Sequence, residues 1–322
     1  MYTLEEIKNQ LGLKSEKKSI VFPEGESEII QSVAKTLVDE KLGLPILLFK
    51  SSKEVPSEIK NNSSIKTICL DEFDTKEFEE EFVKLRKGKA TIEVAHQVMQ
   101  LPNYIGAMLV KLNQADCMLS GLNNTTADTI RPALQIIGTK PGYNIASSIF
   151  VMSKGNENYI FTDCALNIKP TSEQLVEITQ MAVDFAKALN VKNVEAALLS
   201  YSTNGSGKGE DVDRVHQAVE ILKSKEKDYV CEGEIQFDAA FDKKTRDKKF
   251  KNCSLLKQTP DIFVFPDINA GNIGYKIAQR MGGFEAIGPF VLGLNQPVND
   301  LSRGATFVDV LNTAIMTLHL SY

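Results

Sequence analysis

The chain has 322 residues, 43% of them hydrophobic and 25% charged, with a net charge of -5 at pH 7. That length exceeds what one hydrophobic core usually serves, so two domains are expected. The acidic balance argues against nucleic-acid binding, no apolar run reaches membrane-spanning length, and the amphipathic start (Leu4, Ile7, Leu11) is unlike a secretory signal.

In chain order, Ser19 to Phe22 reads as a short buried strand, Pro23 to Gly25 as a turn, Ile29 to Lys41 as a helix and Pro45 to Phe49 as a second strand. Strands alternating with helices predict α/β architecture, with parallel sheets covered on both faces and ligands gathered beyond the carboxyl ends of the strands. Between Asp71 and Met99 an acidic amphipathic helix meets a basic break (Leu85 to Lys89) and a second helix. Arg86 stands at that break, where a cation also answers the helix macrodipole. Ala115 to Gly121 is a strand leading into a donor-rich loop, and Asn123 to Asp128 opens a helix that carries Arg131, a residue equally suited to a surface salt bridge.

From Pro141 the pattern changes to short strands, with Ile149 to Met152 and Tyr159 to Thr162 forming a hairpin around Ser153 to Asn158. A helix (Ser172 to Leu189) and a strand (Ala196 to Ser200) follow. Asn204 to Gly209 (NGSGKG) fails the Walker spacing and reads as a mobile loop, and the Lys/Arg-rich run Asp242 to Lys251 reads as a solvated face. Ile262 to Pro266 is a strand, and Asn269 to Gly274 (NAGNIG) a glycine-bearing turn before a helix from Tyr275 to Met281.

The last stretch carries the most chemistry. Pro289 to Leu294 reads as a buried strand, Asn299 to Gly304 (NDLSRG) as a turn, and Thr306 with Asp309 as the capping box of a final helix. Ser302 and Arg303 thus lie in a strand-to-helix turn that favours an anion. A guanidinium grips phosphate, a hydroxyl steadies a developing oxyanion and a carboxylate takes a proton, which suits chemistry on a phosphorylated acyl compound. Asp309 as a cap, Ser302 as a turn residue and Arg303 as a surface ion-pair partner is the alternative.

Five scattered cysteines without a CxxC pair fit reduced thiols in the cytosol, and His96, His216 and His319 lack the spacing of a metal site. No GxSxG elbow is present, so Ser302 is not expected to be a triad nucleophile.

The strings VFPEGE (Val21 to Glu26), TTADTIRPALQ (Thr125 to Gln135), EIQFDAAF (Glu234 to Phe241) and FPDINAGNIGYKIAQRMGG, EAIGP and PVNDLSRG within Asp261 to Gly304 resemble the phosphate acetyl/butyryltransferase family, in family order over most of the chain. The resemblance implies two α/β/α domains with an isocitrate/isopropylmalate dehydrogenase-like fold and a cleft between them. The first would be discontinuous, residues 1–142 plus 289–322, and the second inserted as 143–288. It implies reversible acetyl transfer between acetyl phosphate and coenzyme A, with butyryl or propionyl transfer as the alternative. Coenzyme A is a substrate, no cofactor or metal is expected, and a cytoplasmic homodimer is implied.

By the same resemblance Ser302, Arg303 and Asp309 are catalytic, and Arg131, Arg86 and Thr126 bind substrate. Asn124 stands where the family commonly has histidine, so any role of that histidine is lost, and the letters around Arg86 match less closely than those around Arg131. The coenzyme A thiolate would attack the acetyl carbonyl directly, Ser302 hydrogen-bonding the oxygen, with Asp309 either taking the thiol proton or only orienting it. Two rivals make different predictions. A metal-dependent decarboxylating dehydrogenase would carry paired substrate-site aspartates, and a non-catalytic coenzyme A-binding module would lack the Ser302, Arg303 and Asp309 set.

Overall fold

Short apolar runs alternate with amphipathic stretches along the chain, and in the computed structural model, which describes residues 1–322, they become strands of two sheets and the helices around them. The first part contains α1 (Leu4–Leu13), β1 (Ser19–Phe22), α2 (Glu28–Asp39), β2 (Leu44–Phe49), α3 (Ser57–Lys60), β3 (Lys66–Cys69), α4 (Lys76–Arg86), α5 (Ile92–Val98), α6 (Pro102–Lys111), β4 (Cys117–Ser120) and α7 (Thr126–Pro132). Next come β5 (Ser147–Lys154), β6 (Glu157–Thr162), α8 (Ser172–Ala188), β7 (Glu195–Leu199), α9 (Glu210–Lys223), β8 (Val230–Ile235), α10 (Phe237–Phe241), α11 (Lys243–Lys249), β9 (Ile262–Val264), α12 (Ile268–Arg280) and β10 (Glu285–Leu292). The chain closes with β11 (Val298–Asp300) and α13 (Phe307–His319). Two compact units result, Thr3–Pro141 with Leu294–Tyr322, and Gly142–Gly293 with Met1–Tyr2.

In the first unit the sheet runs β11-β4-β1-β2-β3, every pair parallel. Strands of such a sheet are buried on both faces and read as unbroken apolar runs, as Ile20–Phe22 and Ile46–Phe49 do. Helix α2 buries Ile30, Val33, Ala34 and Leu37, one helical face, and α13 buries Val310, Ala314, Ile315 and Leu318 against α2, β1 and β4.

The inserted unit has a mixed sheet, β10-β5-β6-β9-β7-β8, antiparallel at the β10-β5-β6 end and parallel beyond. Its core is aromatic, with Phe150, Phe161, Phe263 and Phe265 in one cluster. Several expectations change here. The β5–β6 hairpin extends through Lys154 and Glu157, because Gly155 at φ 58 permits a two-residue turn. NAGNIG is helical, inside α12, with Asp267 as N-cap; Gly271 is needed because a Cβ there would lie 2.3 Å from the Asp163 carbonyl oxygen. The loop at Asn204 to Gly209, read as mobile, is pinned. Buried Glu234 accepts from Ser202 Oγ (3.0 Å) and Gly205 N (2.7 Å), and Ser202 Oγ accepts from Gly207 N (2.8 Å).

The basic run is not uniformly solvated either, since Arg246 is fully buried, donating to the Ala240 carbonyl (2.7 Å) and to the Lys257 carbonyl. Finally, Pro289–Gly293 belongs with the inserted unit rather than the first, because Phe290, Val291 and Leu292 pair antiparallel with Ile149, Ser148 and Ser147. The strand that feeds the NDLSRG turn is therefore β11. All five cysteines are unpaired, and no helix is long and apolar enough to cross a membrane.

Candidate active site

Strands β11, β4 and β1 are neighbours and parallel, so their carboxyl ends, Asp300, Ser120 and Phe22, open on the same edge of the first unit's sheet. From β1 the chain builds outward through β2 and β3, then returns to place β4 on the other side of β1. Connections that leave in opposite directions open a crevice between the two strands, the usual ligand position in open α/β sheets. The loops after β1, β4 and β11 border it.

Glu24, 3% exposed, occupies this position. Its Oε2 accepts from the backbone N–H groups of Gly121 (2.9 Å) and Leu122 (3.0 Å), and its Oε1 from Asn123 N (2.6 Å) and Asn124 Nδ2 (3.0 Å). The donors of this donor-rich loop are thus committed to a carboxylate of the protein. Asn124, the departure from the family's histidine, donates to that same carboxylate.

Beyond the loop, α7 starts with a capping box, Asp128 N donating to Thr125 Oγ1 (3.3 Å) and Thr125 Oγ1 to Asp128 Oδ2 (2.7 Å). Those bonds hold the Asp128 carboxyl below its ordinary range. Buried Asn103 of α6 accepts from Ser120 Oγ (2.8 Å) and donates to the Asp128 carbonyl (3.0 Å), tying the end of β4 to the start of α7. Helix α7 then exposes Thr126 and Arg131.

Arg131 and Arg86 act on one group. Tyr104 of α6 is 7% exposed and donates to Gln135 Oε1 (3.0 Å); burial raises its phenol, while the positive charges of Arg131 and then Arg86 pull it down. Arg86 ends α4, with Lys87 (φ 48) and Gly88 (φ 82) turning the chain towards α5, so it also answers the α4 dipole. Neither arginine nor Arg303 is held in a salt bridge, unlike Arg214, which is bound to Asp211.

Ser302 and Arg303 are exposed in the turn after β11, where the Ser302 carbonyl accepts from Ala305 N (2.9 Å). Asp309, also exposed, is the acidic member of the capping box, accepting on Oδ2 from Thr306 N (2.8 Å) and Thr306 Oγ1 (2.7 Å). No hydrogen bond joins Ser302, Arg303 and Asp309 to one another.

Two carboxylates of this edge escaped the sequence reading. Besides Glu24, Asp300 at the end of β11 is 1% exposed, with its Oδ1 buried and unpaired. Burial pushes its carboxyl up to about 6, opposed by the Thr126 and Thr129 hydroxyls and the Leu301 N–H, with Glu24 adding a further upward push. The only signal in the sequence was their place inside two of the strings that carry the resemblance, VFPEGE and PVNDLSRG.

The family model described as "Phosphate acetyl/butaryl transferase" matches residues 2–318. A phosphate acetyltransferase of Mycoplasma capricolum is 99% identical over 322 residues, covering 100% of both chains. The crystal structure of a phosphotransacetylase from Streptococcus pyogenes superposes with a TM-score of 0.92 at 42% identity, covering 99% of each chain. A 4-hydroxythreonine-4-phosphate dehydrogenase from Klebsiella pneumoniae, 10% identical with a TM-score of 0.57 over 95% of this chain and 98% of that one, shares the dehydrogenase-like fold.

Proposed function

This chain belongs to the phosphate acetyl/butyryltransferase family, and from that membership we propose that it transfers an acetyl group reversibly between acetyl phosphate and coenzyme A. What carries the reading is the exposed Ser302–Arg303 turn at the carboxyl end of β11, retained in a chain whose full length matches an acetyl-transferring relative.

The reaction is one displacement in a ternary complex. The coenzyme A sulfur bonds to the acetyl carbonyl carbon, the carbon–oxygen bond to phosphate breaks, and phosphate departs with the electron pair. Ser302 donates a hydrogen bond to the carbonyl oxygen as it becomes negative, and Arg303 holds the phosphoryl oxygens. Arg131, Arg86 and Thr126 bind the remaining anionic groups, and Asp309, anchored through Thr306, accepts the thiol proton. Coenzyme A is a substrate, and no step calls for a metal.

The reading extends to acetate metabolism in the cytosol and to a homodimer. The exposed apolar face of α12 supports the dimer: Ile273, Ile277 and Met281 are 57%, 52% and 85% exposed, beside an apolar cavity of about 460 Å³ lined by Phe237, Phe241 and Phe284.

Thioester formation from acetyl phosphate and coenzyme A, with and without EDTA, tests the assignment on wild type, Ser302→Ala and Arg303→Ala. The expected result is EDTA-insensitive turnover that falls by about a hundredfold or more in each folded variant. Turnover with butyryl or propionyl phosphate in preference to acetyl phosphate would reassign the acyl chain. Absence of turnover with all three would overturn the enzyme reading.

A further inference from the structure

Because β4 lies between β1 and β11, the first residue after β4 is met from both sides. That residue is Gly121, at φ 117, a conformation in which a side chain would be strained. Its N–H donates to Glu24 Oε2 at 2.9 Å. On the other side a Cβ would stand 2.3 Å from Asp300 Oδ1 and 2.7 Å from Leu301 N, while Leu301 N itself donates to the Ser120 carbonyl at 2.8 Å. Helix α7 turns the hydroxyls of Thr126 and Thr129 towards the same Asp300 carboxyl.

This is an expensive arrangement for a purely structural joint. Asp300 Oδ1 and Thr129 Oγ1 are both buried without a hydrogen-bonding partner, and a buried polar atom left without one destabilises a fold. An apolar pair of similar shape would hold the strands together better. The carboxylates do, however, connect the loops bearing the site residues. Glu24 fixes residues 121–124, from which α7 with Thr126 and Arg131 departs, and Asp300 directly precedes Leu301, Ser302 and Arg303.

We propose that Glu24 and Asp300 are positioning residues for acyl transfer, a pair of buried carboxylates that clamp Gly121 and hold Thr126 and Arg131 in register with the Ser302–Arg303 turn. The inference rests on the acyl-transfer reading above. Among the groups facing Asp300, Glu24 supplies the charge, α7 presents the Thr126 and Thr129 hydroxyls, and β4 presents Ser120 and Gly121, which are uncharged. When Asp300 takes a proton, the negative charge that faces Gly121 and the α7 hydroxyls is lost, so the clamp loosens and turnover slows.

The experiment is kcat and KM for acetyl phosphate and coenzyme A from about pH 5 to about pH 8, with thermal unfolding, on wild type, Asp300→Asn, Thr129→Val and Glu24→Gln. Wild-type kcat is expected to fall below about pH 6. Asp300→Asn lowers kcat about tenfold or more and abolishes that acid limb. Thr129→Val, which removes a hydroxyl favouring the ionised carboxyl, moves the limb to higher pH, and Glu24→Gln, which removes a like charge, moves it lower. A merely structural role would change the melting temperature and leave the profile in place.

Unshifted profiles in folded Thr129→Val and Glu24→Gln overturn the proposal even where Asp300→Asn fails to fold. So does an Asp300→Asn enzyme that keeps the wild-type profile. A wild type without turnover on any acyl phosphate overturns the acyl-transfer reading and this inference with it, whereas an active wild type with unmoved variants overturns the inference alone.

Discussion

Asp300 shows how one residue trades stability for a charge in the right place. Its carboxyl is raised from an ordinary 3.8 to about 6, chiefly by burial, so the folded chain binds this proton more tightly than the unfolded chain. The stabilising protonated form is fully present below the lower value and is lost as pH rises through the upper one. At pH 8 the ionised group therefore costs the fold about 3 kcal/mol relative to acid conditions. Asp300→Asn cannot ionise and escapes that cost. Urea unfolding at about pH 4 and about pH 8 should show the stability of Asp300→Asn, relative to wild type, improving by about 2.5 kcal/mol at the higher pH. A pH-independent difference would mean that the carboxyl is not raised in the folded chain.

At the scale of elements, caps and anchors decide what each helix can present. Helices α7 and α13 both begin with a Thr-x-x-Asp capping box, Thr125 with Asp128 and Thr306 with Asp309; the proposed site residues Thr126 and Arg131 lie in the first and last turns of α7, and Asp309 in the first turn of α13. The cap and the proposed catalytic carboxylate are thus the same residue in Asp309, whose bonds to Thr306 fix its orientation. Helix α11 is held differently. Its seven residues are too short to be stable alone, and its buried Arg246 ties it to the carbonyls of Ala240 and Lys257. Arg246→Ala leaves those carbonyls without a donor and a void around them, and the expected loss is about 3 kcal/mol in chemical unfolding. A loss below about 1 kcal/mol would show that water replaces the guanidinium.

At the scale of the whole molecule, the apolar face of α12 is a surface that association would cover. A line of Ile273 and Ile277 on α12 and Met281 at its C-cap, next to Phe237 and an apolar cavity, has a substantial hydrophobic incentive to associate. If a second copy covers it, Ile277→Asp combined with Met281→Asp buries charge at the contact and should sediment at half the wild-type mass while keeping the wild-type circular dichroism spectrum. A double variant that sediments with wild type would place any dimer contact elsewhere.

Local patterns were legible in the sequence, and the family with them. Buried runs such as Ile46–Phe49 became strands, helical spacing became α2 and α13, and Thr306 with Asp309 became a capping box, because each depends on neighbours within a few residues. Arg86 and Arg131 could be picked out by type, and only folding brings both to bear on Tyr104. Glu24 and Asp300 carried no comparable signal. The donors to Glu24 lie 96 to 100 residues away, and they meet it only because the chain crosses back to lay β4 beside β1. The pairing of Phe290 with Ile149 was likewise settled by a partner remote in sequence. Short-range hydrogen bonding and hydrophobic period are written in the order of residues. Which strand ends stand together, and hence which carboxylates face which loops, is set by the order of strands in the sheet, and only the tertiary structure decided it.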